Sequence, residues 1–402
     1  MQLPRAQTSP NTWANVADMP RNRVLLLSEL FPPAVGGSAV LLGGIYSRLG
    51  SQVAVLTHGD SREVEQHGPF EIHRRGLTRQ DWSLRDPVVS LHYLQLAYQV
   101  RRLSSRQGIV HCARALPEGL AALMSRAMGG PPYVCWAHGE DLTSAAQSRE
   151  YTLLTKLVYR GAAAALANSN NTATLLSELG VPDEKVHVVH PAVDADRFHP
   201  KVDGREIRKR YAGPDDILLL SVGRLQKRKG QDVAIQAVAA LRDELPNLRY
   251  VIAGDGHERE RLEALVTELG VGKQVFFAGV VPESELTAYY AASDIFLLPN
   301  RVHEGDIEGF GIVFLEAAAS GKPVIGGNSG GVPEAVERDV TGLLVDGSVD
   351  EVVKAIRRLA TSESQRQRFG LAGRVRALGL FSWQRAATVV STLQQRLTST
   401  ND

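Results

Sequence analysis

Short apolar runs alternate with helix-forming segments along most of this chain, and this alternation restricts the possible folds more than any other feature of the sequence. The first series of runs spans residues 23–189 and the second spans residues 217–345. Strands that alternate with helices form a parallel sheet covered by helices on both faces. We therefore predict an α/β fold with two doubly wound domains in tandem. The predicted strands are residues 23–28, 53–57, 70–73, 108–111, 133–136, 163–166 and 186–189 in the first series, and 217–222, 250–253, 275–277, 295–298, 323–325 and 343–345 in the second.

The limits of the two domains are set by segments that break the alternation. Residues 191–214 are mostly polar and contain prolines, so the domain boundary is predicted there. The first domain is predicted over residues 21–200 and the second over residues 205–380. Residues 1–20 contain scattered prolines and no apolar stretch, which predicts a disordered tail rather than a signal peptide.

The composition is that of an ordinary globular protein and excludes several functional classes. The 402 residues include 45 basic and 44 acidic residues, so the net charge of +1 does not indicate a nucleic-acid partner. The two cysteines, Cys112 and Cys135, are typical of a reducing compartment, and no run reaches the ~18 apolar residues that span a bilayer. The predicted location is cytoplasmic, and the alternative is a peripheral position at the inner face of the cell membrane. No group of His, Cys and Asp has the spacing of a metal site.

The segment from Glu304 to Glu316 follows an apolar predicted strand and leads into a helix. Gly309 and Gly311 let the backbone approach a ligand, and the N-terminus of the helix offers unpaired N–H groups to an anion such as phosphate. Glu308 and Glu316 are separated by about 10 Å along the helix axis, which is the reach of a sugar diphosphonucleoside. Ionised carboxylates accept hydrogen bonds, so each suits the vicinal diol of one sugar ring. The alternative is a surface loop in which Glu308 interacts with the helix dipole and Glu316 is solvated.

Basic residues follow the first predicted strand of the second series. Arg224 and Lys229 come after Gly223, at the carboxyl end of that strand, where open α/β sheets bind their ligands. A diphosphate requires compensating cations at such a position. The alternative is a solvated basic turn, and this is the interpretation that we give to Lys227 and Arg228.

Glycine and histidine residues at other strand ends are weaker candidates. Gly36 and Gly37 lie between a strand and a helix and form either a phosphate-binding loop or a tight turn. His138 follows another predicted strand beside a glycine, and its role is either structural or functional. Gly254 follows a strand of the second series and either approaches a nucleotide or forms a tight turn.

Residues 72–126 carry an excess of arginine over acidic residues. Within this segment, a predicted apolar helix at residues 88–103 ends in Arg101 and Arg102. The helix either rests on an anionic membrane surface or contacts an anionic acceptor. The alternative is a core helix whose basic last turn suits the helix dipole.

Taken together, these motifs resemble those of the retaining glycosyltransferases of family 4, which have the GT-B fold of two Rossmann-like doubly wound domains facing each other across a cleft. The resemblance extends from Arg23 to the C-terminus. It rests on Gly36 and Gly37, His138 and Gly139, Gly223 to Gly230, the pair Glu308 and Glu316, and residues 329–334. It implies transfer of a sugar from a nucleoside diphosphate donor with retention of the anomeric configuration, without a bound metal or other cofactor. It also implies that residues 381–402 form a helix that crosses back to the first domain.

The resemblance assigns roles to residues of the second domain. It implies that Glu308 holds the hydroxyls of the donor sugar and that Glu316 holds the ribose. Arg224 and Lys229 would neutralise the diphosphate.

It also assigns roles to residues of the first domain. Gly36 and Gly37 would close on the phosphates, and His138 would contact the sugar. The predicted catalytic residues are His138, Glu308, Arg224 and Lys229. The predicted donor-binding residues are Gly36, Gly37, Gly223, Arg224, Lys229, Gly254, Glu308, Gly309, Phe310, Gly311, Ile312 and Glu316.

The donor and the acceptor are less constrained than the reaction class. Residues 31–37 and 306–313 are similar to those of lipid-directed mannosyltransferases that use GDP-mannose, so mannose is the preferred hexose and a lipid-linked or glycan acceptor is implied. The alternatives are a transferase that uses UDP-glucose or UDP-N-acetylglucosamine, a sugar-nucleotide epimerase, and a non-catalytic subunit that binds a sugar nucleotide.

Overall fold

The computed structural model describes residues 24–31, 36–49, 53–59, 64–75, 77, 82–104 and 108–399. The predicted tail at residues 1–20 lies outside this part of the chain, as do residues 400–402. Two separate sheets are present, one in each half of the chain. The predicted α/β fold with two doubly wound domains is confirmed.

The first sheet has eight strands. They are β1 (Val24–Ser28), β2 (Val53–Thr57), β3 (Val64–His67), β4 (Phe70–Arg74), β5 (Ile109–Cys112), β6 (Tyr133–Ala137), β7 (Ala164–Ala167) and β8 (Val186–Val188). Their order is β3-β4-β2-β1-β5-β6-β7-β8, and every neighbouring pair is parallel except β3 with β4. The edge strand β3 was not predicted, because its residues Val-Glu-Gln-His lack an apolar run.

The second sheet has six strands, all in parallel pairs. They are β9 (Ile217–Val222), β10 (Leu248–Ala253), β11 (Val275–Gly279), β12 (Ile295–Leu298), β13 (Val324–Gly327) and β14 (Gly342–Val345), in the order β11-β10-β9-β12-β13-β14. The predicted strands of the second series agree with these within two residues at each end.

Helices cover both faces of both sheets. They are α1 (Gly37–Tyr46), α2 (Pro87–Leu103), α3 (Leu120–Ala127), α4 (Glu140–Ala145), α5 (Arg149–Gly161), α6 (Asn170–Glu178), α7 (Arg205–Tyr211), α8 (Gln231–Ala240), α9 (Arg259–Glu268), α10 (Leu286–Ala292), α11 (Ile312–Ala319), α12 (Val332–Ala335), α13 (Val349–Ala360), α14 (Glu363–Leu380) and α15 (Trp383–Ser399). Within the described residues, none of them is both long and apolar enough to span a membrane.

Polar residues fix the N-termini of several helices. A side-chain oxygen immediately before the helix accepts a hydrogen bond from a backbone N–H of the first turn, and each such cap contributes about 1 kcal/mol. The capping residues are Asp86 (α2), Ser148 (α5), Ser169 (α6), Ser348 (α13) and Ser362 (α14).

Each sheet separates two apolar cores, because successive residues of a strand point to opposite faces. In β1, Leu25 and Leu27 pack in the core beneath α2, α3 and α5. Val24 and Leu26 pack in the core beneath α1 and α15. Full burial of one such side chain contributes about 1.5–3 kcal/mol.

The winding of each sheet reverses beside one central strand. β1 lies between β2 and β5 in the first sheet, and β9 lies between β10 and β12 in the second. Doubly wound sheets bind ligands outside the carboxyl ends of the strands at this reversal. The loops that follow β1, β6, β9 and β12 are therefore the positions at which functional residues are expected.

The chain passes between the two domains twice, near Val193 and near Phe381, and the two crossing segments lie side by side. The N–H of Val193 in the first crossing donates to the carbonyl of Phe381 in the second, at 3.1 Å. After Phe381, α15 packs on the first domain, where Trp383 is buried in the core that contains β1 and α1. Gly44 of α1 provides the space for this ring, since a Cβ at Gly44 would lie 2.5 Å from the indole.

Candidate active site

Glu308 lies at the centre of a buried cluster of charged and polar groups. It belongs to the loop between β12 and α11, and only 8 % of the residue is exposed. Its Oε2 accepts hydrogen bonds from Arg228 Nη1 at 2.8 Å and from Asn300 Nδ2 at 2.9 Å, and also from Lys229 Nζ. Burial alone raises the pKa of Glu308, but Lys229 and Arg228 outweigh it, so the pKa is lowered and the carboxylate is ionised. The three bonds all end on Oε2.

Lys229 reaches this cluster from the turn between β9 and α8. Burial lowers the pKa of the Lys229 ammonium group, and the nearby Arg228 lowers it further, whereas Glu308 acts in the opposite direction. The adjacent Gly230 has a φ of +73°, and a Cβ there would lie 2.2 Å from the carbonyl oxygen of Pro299. Only glycine can therefore bring this turn against the end of β12.

Arg228 links the cluster to the first domain. Its guanidinium Nη2 donates to Glu140 Oε2 at 3.0 Å, and its Nε lies 2.9 Å from Asp306 Oδ2. The side chain is only 4 % exposed. The interpretation of Arg228 as part of a solvated basic turn is therefore wrong. A run of three basic residues in the sequence does not show which of them faces the interior. In the structure, Arg228 is surrounded by the carboxylates of Glu140, Asp306 and Glu308, which lie far from it in the chain.

Arg224 occupies a different position from Lys229. Its side chain is 64 % exposed, and its Nη2 lies 3.6 Å from Glu140 Oε2, at the rim of the cleft. The backbone beside Arg224 explains why Gly223 and Gly254 are glycines. Gly223 has a φ of +150°, and a Cβ on Gly254 would lie 2.0 Å from the carbonyl oxygen of Gly223. The close approach of two backbones accounts for Gly254.

His138 and Gly139 bring the first domain against the loop of Glu308. A Cβ on Gly309 would lie 1.9 Å from the carbonyl oxygen of His138, so the two domains touch here through their backbones. The His138 ring stacks on Trp136, and its Nε2 lies 2.8 Å from the carbonyl oxygen of Ala113. Since a carbonyl only accepts, Nε2 carries the proton, and in the neutral ring Nδ1 is the acceptor.

Glu316 lies on α11, apart from the ion pairs of Glu308. Tyr290 Oη donates a hydrogen bond to Glu316 Oε2 at 2.6 Å. Burial raises the pKa of Glu316 to about 7, although the hydrogen bond from Tyr290 acts in the opposite direction. The free protein therefore holds a carboxyl group that changes charge near neutral pH.

Helix α11 begins immediately after Gly311, which has a φ of +88°, and no side chain caps its first turn. Its first N–H groups can therefore donate hydrogen bonds to an anion. Ile312 is half-buried at the start of this helix. The ring of Phe310 is buried and contacts the rings of His190 and Phe381, with centroids 5.6 Å apart in each pair. The Phe310 side chain thus joins the loop between β12 and α11 to the segments that cross between the domains.

Gly36 and Gly37 lie at the start of α1, and no described atom would come within 4 Å of a Cβ at either position. Contacts with the described residues therefore do not account for these glycines. Pro32 to Val35, which precede them, lie outside the described part of the chain.

Glu334 of the second domain binds the first domain beside the cleft. Its carboxylate accepts hydrogen bonds from the N–H groups of Asn170 at 2.8 Å and Asn171 at 3.1 Å, at the N-terminus of α6. His190 Nε2 also lies 2.8 Å from this carboxylate. A negative charge at a helix N-terminus is stabilising, so this contact favours the arrangement in which the two domains meet. The resemblance to family 4 rests in part on residues 329–334, which include Glu334, but it implied no role for this residue.

The fold and the site together define a class of enzyme. Two doubly wound domains that face each other, with a buried carboxylate and cation cluster where their strand ends meet, have the architecture of the GT-B glycosyltransferases. The solved structure of a sucrose-phosphate synthase from Thermosynechococcus elongatus superimposes with a TM-score of 0.80 over 94 % of this chain and 100 % of that one, at 22 % identity. The GT-B fold is thereby confirmed.

The sequence comparisons identify the family. Residues 38–197 match the family model described as Glycosyltransferase Family 4, and residues 203–376 match the model described as Glycosyl transferases group 1. This chain belongs to glycosyltransferase family 4 and is a glycosyltransferase. The predicted resemblance and the predicted enzyme class are confirmed.

Two curated relatives match nearly the whole chain. A GDP-mannose-dependent alpha-(1-6)-phosphatidylinositol monomannoside mannosyltransferase of Mycobacterium tuberculosis is 33 % identical over 91 % of this chain and 96 % of its own length. The protein of the same name from Mycolicibacterium smegmatis is 31 % identical over 93 % of this chain and 98 % of its own length.

Proposed function

We propose that this glycosyltransferase transfers mannose from GDP-mannose to a phosphatidylinositol-linked glycolipid, with retention of configuration at the anomeric carbon. The observation that carries the proposal is the ionised, buried Glu308, held by Lys229 and Arg228 where the two domains meet. The choice of sugar and acceptor is supported by the names of the two mycobacterial relatives described above.

The donor would bind along the loop and helix that follow β12. Glu308 uses Oε2 for its protein partners, which leaves Oε1 to accept hydrogen bonds from the hydroxyls of the sugar. The diphosphate would lie at the uncapped N-terminus of α11, with Arg224 at the rim as a further cation. Glu316 would accept hydrogen bonds from the ribose diol, and Gly36 and Gly37 would approach the phosphates from the first domain.

The reaction would proceed on one face of the sugar. The bond between the anomeric carbon and the diphosphate oxygen breaks while the acceptor oxygen bonds to the same face, and the acceptor proton passes to the departing phosphate. Negative charge develops on the diphosphate, so the cations near it stabilise the transition state more than the ground state. We propose that Arg224, Lys229 and the N-terminus of α11 supply this positive charge without a metal ion.

His138 would contact the donor sugar from the first domain. Its ring is fixed by Trp136 and by the carbonyl of Ala113, so the remaining acceptor, Nδ1, is available for a hydroxyl of the sugar. Replacement of His138 by Ala should therefore lower turnover more than it lowers nucleotide affinity.

A membrane surface is the source of a lipid acceptor, and α2 has a face that suits it. Val88, Leu91, Leu94 and Tyr98 lie on the side of α2 opposite its buried residues, and each is at least 50 % exposed. Arg101 lies at the end of the same face. We propose that this face of α2 contacts the anionic surface that contains the acceptor.

The membrane proposal is tested by sedimentation with vesicles that contain phosphatidylinositol. The double variant Leu91→Ser, Leu94→Ser should sediment less than the unsubstituted protein. Leu371→Ser, Val375→Ser is the matched control, because these two residues form an apolar pair on α14 that is somewhat more exposed than Leu91 and Leu94. Equal sedimentation of the α2 variant and the unsubstituted protein would contradict the proposal.

The donor is tested by calorimetric titration with GDP, UDP, GDP-mannose and UDP-glucose without added metal. We expect GDP and GDP-mannose to bind at least tenfold more tightly than the uridine nucleotides, and the double variant Glu316→Ala, Lys229→Ala to lose most of this affinity. Preferential binding of UDP-glucose would reject GDP-mannose as the donor. Equal GDP affinity in the double variant would reject the proposed donor site.

A further inference from the structure

A cavity of about 320 Å³ lies between the two domains, next to the proposed donor site. Trp82 and Tyr151 form part of its wall in the first domain, and Arg224, Gln226 and Asp306 line it from the second. Of these five residues, only Arg224 has a role in the proposed donor site, where it faces the diphosphate. Trp82, Tyr151, Gln226 and Asp306 have no such role, so this part of the cavity has room for a second ligand.

The cavity is connected to the donor site through shared carboxylates. Glu140 and Asp306 both line it, and both are paired with Arg228. Arg228 in turn donates to Glu308, which is the proposed ligand of the donor sugar. The cavity therefore adjoins the cluster of Glu308, and a molecule in it would lie next to the proposed position of the donor sugar.

The first-domain wall is aromatic and held in place. The rings of Trp82 and Tyr151 are inclined at 49°, with centroids 6.3 Å apart. The guanidinium of Arg114 lies 5.5 Å from the Trp82 ring centroid and is paired with Glu29 and with the fully buried Glu118. Aromatic faces of this kind pack against the C–H groups of a sugar or cyclitol ring.

The polar lining favours hydroxyl groups over an anion. The charged residues of the lining are Arg114, Glu140, Asp141, Arg224 and Asp306, so carboxylates outnumber cations. Both cations of the lining already face carboxylates, Arg114 those of Glu29 and Glu118 and Arg224 that of Glu140. A phosphate in the cavity would compete with these carboxylates, whereas hydroxyl groups can donate to them.

Several buried polar atoms of the lining also lack a partner. Thr155 Oγ1, Gln226 Oε1 and Asp306 Oδ1 are inaccessible to solvent and make no hydrogen bond with any described residue. Unpaired buried polar atoms are costly, and a small movement of these side chains would bring them to a ligand hydroxyl.

We infer that this cavity is the subsite for a neutral, polyhydroxylated ring of the acceptor, either a hexose or a cyclitol, packed against Trp82 and Tyr151. The inference rests on the proposed function for the identity of the reaction, but the recognition of the ring follows from the lining alone. The ring stacks on the aromatic wall, and its hydroxyls bind Glu140, Asp306 and Gln226. Any phosphodiester and acyl chains of the acceptor lie outside the cavity.

Substitution of Trp82 tests the subsite during transfer. With a deacylated phosphatidylinositol monomannoside as the acceptor, Trp82→Leu should raise the KM for the acceptor by about tenfold. A change of this size corresponds to the loss of one aromatic contact. Trp82→Phe keeps an aromatic face and should stay within threefold of the unsubstituted protein. The dissociation constant for GDP should change less than twofold in both variants. An unchanged acceptor KM in Trp82→Leu would overturn the inference.

A direct binding measurement separates this inference from the proposed donor and reaction. Ligand-observed NMR with methyl α-mannopyranoside and with myo-inositol, without nucleotide, reports on the cavity even if GDP-mannose is not the donor. We expect one of the two rings to bind the unsubstituted protein and to bind Trp82→Phe, but not Trp82→Leu, and the ring that binds identifies the hexose or the cyclitol as the occupant. Absence of binding by both rings, or binding that Trp82→Leu leaves unchanged, would overturn the inference.

Discussion

At the scale of single residues, the second-domain side of the site depends on which members of the run from Lys227 to Lys229 are buried. Arg228 is 4 % exposed and contacts three carboxylates, whereas Lys227 is exposed. Removal of one partner from a buried ion pair leaves a charge without compensation, which costs about 3–5 kcal/mol. The two neighbours should therefore respond very differently to the same substitution.

Arg228→Met should lower the free energy of unfolding by about 3 kcal/mol and reduce sugar transfer at least tenfold, because Glu308 loses one of its two cations. Lys227→Met is the matched control and should leave both quantities unchanged. Thermal unfolding and initial rates of transfer measure the two effects. A variant Arg228→Met as stable and active as Lys227→Met would show that the buried cluster has no energetic role.

The raised pKa of Glu316 predicts that nucleotide binding depends on pH. Its pKa in the free protein is raised to about 7 by burial. In the proposed donor site the ribose diol would donate to the ionised carboxylate, so binding would lower this pKa, and below pH 7 a proton would have to leave when the nucleotide binds. The affinity for GDP should therefore fall as the pH is lowered through 7, by up to about tenfold per unit.

Glu316→Gln should remove this dependence while weakening GDP binding at pH 8. Calorimetric titration at pH 5.5, 6.5, 7.5 and 8.5 measures both effects. The same pH dependence in the Gln variant would show that another group titrates on binding.

At the scale of helices and strands, α15 links the stability of the two domains. Gly44 of α1 faces Trp383, where a Cβ would lie 2.5 Å from the indole ring. An alanine usually stabilises a helix by about 1 kcal/mol relative to glycine, but here it would displace α15. Gly379 lies near the end of α14 with open space around its Cβ position and gives the matched comparison.

Gly44→Ala should lower the protein's stability and speed hydrogen exchange in residues 383–399, whereas Gly379→Ala should raise stability slightly or leave it unchanged. Hydrogen exchange followed by mass spectrometry measures the effect on α15. Unchanged exchange in Gly44→Ala would show that α15 does not depend on the fit between Trp383 and Gly44.

The same scale shows what can be predicted from the sequence. The inner strands of the second sheet, such as β9, β10 and β12, are mostly apolar because they are largely buried, and the positions of all six strands were predicted within two residues. The edge strand β3 is polar and pairs only with β4, so its sequence carries no such signal.

The site was only partly predictable for a related reason. Glu308 and Lys229 follow apolar strands at the reversal of the sheet, so their position marks them as candidates. The burial of Arg228 depends on Glu140 and Asp306, and the aromatic wall depends on Trp82 and Tyr151, which are far apart in the chain. Contacts between distant segments carry no local pattern.

At the scale of the whole molecule, the two domains enclose a site to which each contributes. The second domain supplies Glu308 and its cations, and the first supplies His138, Glu140 and the aromatic wall. The backbone contact of Gly309 with His138 and the contact of Glu334 with α6 hold the two halves together. Opening of the domains would separate Glu308 and its cations from His138 and the aromatic wall, so the proposed transfer requires the closed arrangement.

Analysis of the transfer product tests the central claim most directly. The purified protein is incubated with GDP-mannose and vesicles that contain a phosphatidylinositol monomannoside, and the product is examined by mass spectrometry and by NMR of the new anomeric centre. Our account predicts one added hexose in an α linkage, the configuration of the donor. A β-linked product, or efficient transfer from UDP-glucose with none from GDP-mannose, would contradict it.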